Sequence, residues 1–201
     1  MAKPKLLLVD GSSLAFRAFF SILDLNRFKN SNGLHTNALY SFHRMFKSIL
    51  DSEKPTHVLV AWDAGKTTFR TEMYADYKGG RSKTPGEFIE QMPYFNVLLD
   101  AWGIPHYRLN QYEADDIIGT LAKQGEAAGY EVVVLSGDKD LIQLADNNIT
   151  VKITTKGVTE LVEYTPEVIF EKYGLTPEQI IDMKGLMGDS SDNYPGVTKV
   201  G

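Results

Sequence analysis

Short apolar runs alternate along the chain with longer segments whose apolar residues recur at helical spacing. Four runs are typical of buried parallel strands: KLLLV (5–9), HVLVAW (57–62), IPHYRL (104–109) and EVVVLS (131–136). Three segments predict amphipathic helices, at 37–53, 87–103 and 114–129. Because strands alternate with helices, the pattern predicts an α/β fold with a twisted, mainly parallel sheet flanked by helices.

Turn-forming residues add boundaries to these elements. Pro93 should kink or split the 87–103 helix, because proline cannot donate to the helical ladder. Gly103 and Gly129 stand where the helix C-termini should fall. The prediction is therefore one helix before the third strand that Pro93 kinks or divides, and an unbroken helix after that strand.

The pattern changes after residue 149. TVKITTKGVTELVEYT (150–165) predicts a hairpin, and two short helices should begin at Pro166 and at Thr176-Pro177. We therefore expect a single domain, with an α/β core over residues 1–164 and a helical appendage over 165–201.

Composition excludes several classes of protein. The 201 residues are 43% hydrophobic and 23% charged, which is typical of a globular chain with a sizeable core. There are no cysteines, so disulfides and thiolate metal sites are excluded. The opening MAKPKLLLVDG has too few consecutive apolar residues for a secretory signal. No apolar run approaches the length of a membrane span. These features predict a cytoplasmic protein without membrane contact.

Acidic residues follow the predicted end of every strand. They are Asp10, Asp63, the trio Glu113, Asp115 and Asp116, and the pair Asp138 and Asp140. Since the carboxyl ends of parallel strands meet at one edge of a sheet, we expect these carboxylates to lie close together. Carboxylates so close must shift their pKa values or be bridged by cations. Oxygen ligands alone favour Mg²⁺ or Mn²⁺.

Most of these acidic groups also have an ordinary structural explanation, although Asp63 is less usual at the end of an otherwise apolar strand. Acids at 113–116 suit the first turn of a helix, and Asp10 before a glycine suits a turn. Asp138 and Asp140 suit an Asx turn that enters the DLIQL helix. They do not fit the calcium loop of an EF-hand, because Leu141 and Ile142 follow them without the glycine that such a loop requires. The coincidence at all four strand ends favours a metal site over four unrelated turns.

Two further segments carry chemistry. Between Lys66 and Lys83 the chain has five bases and two acids, interleaved with aromatic residues, which is typical of a nucleic-acid contact or of a solvated loop. Near the end, Asp189 and Asp192 precede GVTKVG (196–201), whose glycines would let backbone N–H groups approach a phosphate.

The ordered set VDGSSLAFRAFF, AWDAGKTTFR, YADYKGGR, YEADDIIG, LSGDKDLIQL and GLMGDSSDNYPGV resembles the 5′-nuclease domains of bacterial DNA polymerase I, in the flap endonuclease family. The resemblance covers essentially the whole chain. It implies a PIN-like fold with a helical arch at about residues 66–86. It also implies a helix-hairpin-helix of which Gly196 to Gly201 form the turn, with the second helix beyond Gly201.

The resemblance also implies site residues. Two divalent ions, roughly 4 Å apart, would be held by nine acids, with Asp10, Asp63 and Asp115 also counted as catalytic. One ion falls to Asp10, Asp63, Glu113 and Asp115, with Asp115 bridging, and the other to Asp116, Asp138, Asp140, Asp189 and Asp192. Lys78 and Arg81 match the bases that act on the scissile phosphate. The family also allows a K⁺ ion at the helix-hairpin-helix turn.

DNA contacts follow from the same motifs. Phe16 matches a position that stacks on a nucleobase, and Arg17 beside it would meet backbone phosphate, whereas Phe19 and Phe20 are expected in the core. The remaining expected contacts are Arg70, Tyr77, Lys78, Arg81, Lys83, Gly196 and Gly201. Without the nine acids of the site, 17 of the 26 acids remain against 21 bases, so the rest of the surface suits a polyanion.

The resemblance thus implies a structure-specific 5′–3′ exonuclease and flap endonuclease acting in primer removal, replication and repair. Its expected partners are DNA with a 5′ end or flap, RNA–DNA primer junctions and a following polymerase domain. Two alternatives stay open. A non-catalytic nucleic-acid binding module would need the bases but not nine acids, and a small-molecule phosphatase of the haloacid dehalogenase type would need an acid where Ser12 stands.

Overall fold

A six-stranded sheet forms the centre of the protein. The computed structural model describes residues 3–65, 67–155 and 160–200 of the chain. The strands are β1 (Lys5–Asp10), β2 (His57–Trp62), β3 (His106–Arg108), β4 (Glu131–Ser136), β5 (Ile149–Thr154) and β6 (Leu161–Tyr164). Their order is β3-β2-β1-β4-β5-β6, and only β6 among them runs antiparallel to its neighbour. The predicted α/β class and mainly parallel sheet are confirmed.

Helices cover both faces of this sheet. They are α1 (Gly11–Phe20), α2 (Asn37–Glu53), α3 (Phe69–Met73), α4 (Gly86–Ile89), α5 (Met92–Ala101), α6 (Ala114–Ala127), α7 (Pro166–Tyr173) and α8 (Pro177–Met187). Two 3₁₀ turns (Leu25–Arg27 and Lys139–Leu144) and a two-residue ladder of β7 (Gly188–Asp189) with β8 (Tyr194–Pro195) complete the described elements. The helix predicted at 37–53 is confirmed residue for residue.

The segment predicted as one helix at 87–103 is divided, as Pro93 indicated. Pro93 lies in the first turn of α5, where a missing N–H leaves no helical hydrogen bond unmade. Gly103 and Gly129 follow α5 and α6 with φ of 66° and 86°, a backbone conformation that glycine adopts without steric cost. Both predicted helix ends are therefore confirmed.

Two apolar layers hold the helices to the sheet. On one face Phe42, Phe46 and Phe95 form one buried cluster with Trp62 of β2 and with apolar residues of β1. On the other face α6 packs on β1, β2 and β4, α7 lies against β6, and α8 lies against the 3₁₀ turn Lys139–Leu144. Ile118, Ile169 and Ile180 are among the buried residues of this layer.

One core prediction is wrong. Phe19 is buried, but Phe20 is 53% exposed at the last position of α1, where its ring contacts those of Phe16 and Phe19.

The strand order brings acids from different parts of the chain together. From β1 the chain builds outward through β2 and β3, and then returns to the other side of β1 with β4 and β5. The predicted hairpin of β5 and β6 is confirmed, and β5 also pairs parallel with β4. In open sheets of this kind, ligand sites form at the carboxyl edge where the order reverses, here between β1 and β4. No helix in the described ranges is long and apolar enough to cross a membrane.

Candidate metal and DNA site

Asp10 joins the two central strands at their carboxyl ends. It caps α1 by accepting from the Ser13 N–H at 2.9 Å, and its other oxygen accepts from the Ser136 hydroxyl at the end of β4, at 2.7 Å. Burial is the largest cause that raises its pKa, to about 6, although these two hydrogen bonds oppose it and nearby Asp63 and Asp138 add to it. Asp10 is thus both a helix cap and a member of a crowded acidic group.

Asp115 lies deepest among the acids of α6. Its pKa is raised well above the ordinary value, first by burial and then by the charges of Asp10, Asp138 and Asp63. The pKa of Asp138 is raised too, again mainly by burial. These four carboxylates come from four strand ends and act on one another electrostatically, as the spacing of the motifs predicted.

An acidic pocket of about 360 Å³ opens at this edge. Its acidic lining consists of Glu113, Asp115, Asp116, Asp138, Asp140 and Asp192. In the part of the chain that the structure describes, no three His, Asp or Glu side chains are grouped tightly enough to form a ready-made cation cage. The donor set is nonetheless all carboxylate, and the repulsion at Asp115 is of the kind that a hard divalent cation relieves.

Three basic side chains of the 69–81 segment pair with acids that line this pocket. Arg70 donates two parallel hydrogen bonds to Asp116, at 2.8 and 2.7 Å. Lys78 Nζ lies 2.8 Å from Glu113 Oε2, and Arg81 lies 2.7 Å from Asp192 Oδ1. The bases expected to contact DNA therefore neutralise acids expected to bind cations.

Lys184 is a fourth base at the site, and sequence reasoning missed it. Its Nζ lies 2.7 Å from Asp140 Oδ1 and 2.6 Å from Asp189 Oδ2, so it joins the 3₁₀ turn after β4 to the ladder after α8. Burial opposes a low pKa at Asp189, but the bonds from Lys184 and Ser191 outweigh it and hold that pKa below its ordinary value. The five-residue spacing from Lys184 to Asp189, across the end of a predicted helix, was the available signal.

Several acids also have the ordinary roles that the sequence allowed. Asp116 accepts from the Glu113 N–H at 2.9 Å in a capping box, and Asp138 accepts from the Asp140 N–H at 2.8 Å. Asp63 Oδ1 accepts from the Ala114 N–H at 2.8 Å, which fixes the start of α6 to the end of β2. A carboxylate can cap a helix and still take part in the acidic site, because the cap uses only part of its capacity to accept hydrogen bonds.

The expected DNA contacts have varied surroundings. Phe16 is 41% exposed, with its ring 5.0 Å from that of Phe88. Arg17 donates to the carbonyls of Thr154 and Thr155, both at 2.7 Å, so at least part of its guanidinium holds the end of β5. The Tyr77 hydroxyl donates to Glu113 and Asp192 at 3.2 and 3.1 Å.

In the described residues, the predicted helical arch and the predicted turn of the helix-hairpin-helix contain little helix. Within the described residues of the arch, 67–86, the helical ones belong to α3 and to the first residue of α4, whereas residues 74–85 form turns and irregular chain in which Lys83 is exposed. After α8 the chain turns back sharply, and a Cβ on Gly196 would lie 2.1 Å from the Met187 carbonyl oxygen. Lys66 and Gly201 lie outside the described residues.

Comparison with known proteins places this geometry in a family. Residues 5–174 match the family model described as 5′-3′ exonuclease, N-terminal resolvase-like domain. The chain is 62% identical to a DNA polymerase I of Lactococcus lactis subsp. cremoris over 202 residues, which is 99% of this chain and 23% of that protein. It is 63% identical to the DNA polymerase I of Bacillus subtilis over 99% of this chain and 22% of that protein. The chain thus spans less than a quarter of the length of these curated relatives.

Solved structures show the same fold. A bacteriophage T5 5′-exonuclease with bound zinc is 27% identical, with a TM-score of 0.73 over 98% of this chain and 71% of that one. A T5 D15 flap endonuclease pseudo-enzyme–product complex with DNA and metal ions is 27% identical, with a TM-score of 0.72 over the same shares. A flap endonuclease-1 from Methanococcus jannaschii shares the fold at 20% identity, with a TM-score of 0.58 over 99% of this chain and 68% of that one. On the family match, the chain belongs to the 5′-3′ exonuclease family, as an N-terminal resolvase-like domain of that family.

Proposed function

We propose that this chain is a divalent-metal-dependent 5′ nuclease that hydrolyses phosphodiesters in DNA, as a 5′–3′ exonuclease and flap endonuclease. One observation carries the proposal: Lys78 and Arg81, from one loop, reach carboxylates that line the acidic pocket. Groups suited to a phosphate and groups suited to cations therefore meet in one place.

The nine acids are assigned to two ions of Mg²⁺ or Mn²⁺. Asp10, Asp63, Glu113 and Asp115 hold the first ion, and Asp116, Asp138, Asp140, Asp189 and Asp192 hold the second. The crowding around Asp115, whose pKa is raised first by burial and then by Asp10, Asp138 and Asp63, supports a cation at that position. Bound ions would supply a nucleophilic water at neutral pH and stabilise the leaving oxygen.

The chain's own bases have the complementary role. Lys78 and Arg81 exchange their carboxylate partners for the scissile phosphate and neutralise charge that develops on it. Arg70, held on Asp116 by two bonds, keeps a positive charge beside them and orients that acid. Phe16, with its exposed ring, offers a stacking surface that tolerates any base.

The substrate follows from these groups. A site built from phosphate contacts and stacking recognises the form of DNA and not its sequence. The substrate class is therefore a duplex with a 5′ end or flap, including RNA–DNA primer junctions, cut during primer removal and repair. Because the similar chains are DNA polymerases I several times longer, the proposed neighbour in the native protein is a polymerase domain.

The test is cleavage of defined substrates by residues 1–201. A 5′-labelled flap, a nicked duplex and single-stranded DNA are incubated with Mg²⁺ and, separately, with EDTA. Cleavage of the flap in Mg²⁺ alone is the expected result. Asp115→Asn should lower the rate at least about 100-fold, whereas Asp51→Asn, exposed on α2, should leave it unchanged.

Other outcomes identify the alternatives. Flap binding without cleavage in Mg²⁺ or Mn²⁺ would indicate a non-catalytic nucleic-acid binding module. Hydrolysis of a phosphomonoester, but not of DNA, would indicate a phosphatase. Equal cleavage by the Asp115→Asn variant would remove the acidic pocket from the mechanism.

A further inference from the structure

Two segments far apart in the chain lie against each other beside the acidic pocket. The Tyr74 ring is 6.2 Å from the Tyr194 ring. The Asn193 side-chain amide donates to the Asp76 carbonyl at 2.9 Å, and the Lys78 N–H donates to the Asp192 carbonyl at 2.8 Å. As one segment advances from 74 to 78, its partner retreats from 194 to 192. We call this antiparallel arrangement of residues 74–81 and 192–194 the clasp.

Backbone conformation at the clasp is unusual on both sides. Lys78 has φ of 57°, and Asn193 also has φ of 57°. A lysine in the left-handed region is uncommon and costs free energy, so neighbouring contacts must hold it there. The Lys78 N–H bonds to the Asp192 carbonyl, and the Asp76 carbonyl, which accepts from Asn193, also accepts from the Gly79 N–H at 2.9 Å, so that Asn193 holds the first carbonyl of the turn that contains Lys78.

The strained conformation has a consequence for the Lys78 side chain. Its Nζ lies 2.8 Å from Glu113 Oε2, at the lining of the acidic pocket. Relaxation of φ at Lys78 to the negative region would redirect the Cα–Cβ bond and carry the ammonium group away. Contacts that fix the backbone here therefore fix the position of the charge.

We propose that Asn193 is a positioning residue for Lys78. Its amide holds the Asp76 carbonyl, and with the Asp192 carbonyl it keeps the turn at Lys78 in the geometry that aims the ammonium group into the site. Asn193 would act through the loop, by its bond to the Asp76 carbonyl. The inference rests on the proposed nuclease function, and it adds a residue that connects the second acidic segment to the basic loop.

The test removes the amide and leaves the backbone conformation accessible. Glycine adopts a positive φ freely, so Asn193→Gly deletes the hydrogen bond without adding strain. Single-turnover cleavage of a 5′ flap in Mg²⁺ should fall about tenfold, as expected for a misplaced catalytic group, with less than about a twofold change in flap affinity. Asn147→Gly, in an exposed turn before β5, is the control and should cleave normally.

A double variant separates positioning from simple stability. In the Lys78→Ala background, Asn193→Gly should have no further effect on the rate, because the group that it positions is gone. Hydrogen exchange supplies a second readout that needs no cleavage, since the 74–81 peptide should exchange faster in Asn193→Gly.

Opposite results overturn the proposal. Equal rates for Asn193→Gly and the unaltered chain, or an undiminished tenfold loss in the Lys78→Ala background, would remove the positioning role. Unchanged exchange over residues 74–81 would show that the clasp does not depend on Asn193. If the unaltered chain cleaves no flap, but hydrogen exchange over residues 74–81 is still faster in Asn193→Gly, the nuclease proposal fails. The role of Asn193 in holding the clasp is then supported by itself.

Discussion

Lys78 Nζ lies 2.8 Å from Glu113 Oε2, although the two residues are 35 positions apart in the chain. Lys78 comes from the basic loop, and Glu113 caps α6, the helix that carries Asp115. This ion pair holds the loop on the acidic pocket. A cation that binds Glu113 would release Lys78, and a phosphate that binds Lys78 would release Glu113. Cation binding and phosphate binding should therefore be linked through this ion pair.

The ion pair makes Lys78 the first residue to test. Lys78→Ala should lower the single-turnover rate on a 5′ flap by about 100-fold, and it should weaken binding much less, since the charge is needed most in the transition state. Both alanine and lysine carry a Cβ, so the strain at φ of 57° is kept. Lys47→Ala, exposed on α2, is the control. Loss of affinity without loss of rate would reduce Lys78 to a phosphate contact.

Lys184 should compete with cations for two acids. Lys184→Met removes its charge and leaves Asp140 and Asp189 without their shared partner. The melting temperature in EDTA should fall, and the increase produced by millimolar Mg²⁺ should become larger, because the metal then relieves a greater repulsion. Thermal melts with and without Mg²⁺ measure both quantities. The prediction is wrong if Lys184→Met and a Lys47→Met control gain equally from Mg²⁺.

Buried Asp10 should give the stability a pH dependence of definite sign. Burial raises its folded pKa from 3.8 to about 6, so the folded chain holds a proton that the unfolded chain has lost between these values. In EDTA, the contribution of Asp10 to the free energy of unfolding should therefore fall as pH rises from about 4 to about 6.

Asp10→Asn should remove that fall, and Asp51→Asn, which is exposed, should keep it. Urea unfolding at a series of pH values measures the difference. Parallel pH profiles for the unaltered chain and Asp10→Asn would contradict a raised pKa at Asp10.

The turn after α8 should matter for DNA binding. Gly196→Ala would place a Cβ 2.1 Å from the Met187 carbonyl oxygen, so the ladder of β7 and β8 must move. Flap affinity should fall, and the dependence of log affinity on log salt should become shallower by about 1, as for one lost phosphate contact. Gly185→Ala, which meets open space on α8, is the matched control. Unchanged binding by Gly196→Ala would make this turn a structural feature alone.

Much of the fold follows from local pattern. Apolar runs of five or six residues set β1, β2 and β4, because a strand buried on both faces needs apolar residues throughout. Pro93 set the break before α5, and Gly103 and Gly129 set two helix ends, since each acts on the backbone where it stands. The acidic strand ends could also be read in advance, because parallel strands bring their carboxyl ends to one edge.

What the sequence left undecided depends on residues that meet across the chain. Lys184 lies on the helix just before Asp189, yet only packing of α8 against the turn after β4 brings its ammonium group to Asp140 as well. The bond from Asn193 to Asp76 joins positions 117 apart, and no period or motif records such a contact. The apolar residues beside Phe20 in the sequence predicted that it would lie in the core, but it is exposed at the end of α1. The conformational preferences of nearby residues determine each helix and strand through its own backbone. Which side chains pair across the chain is decided by tertiary packing, and the candidate site consists of such pairs.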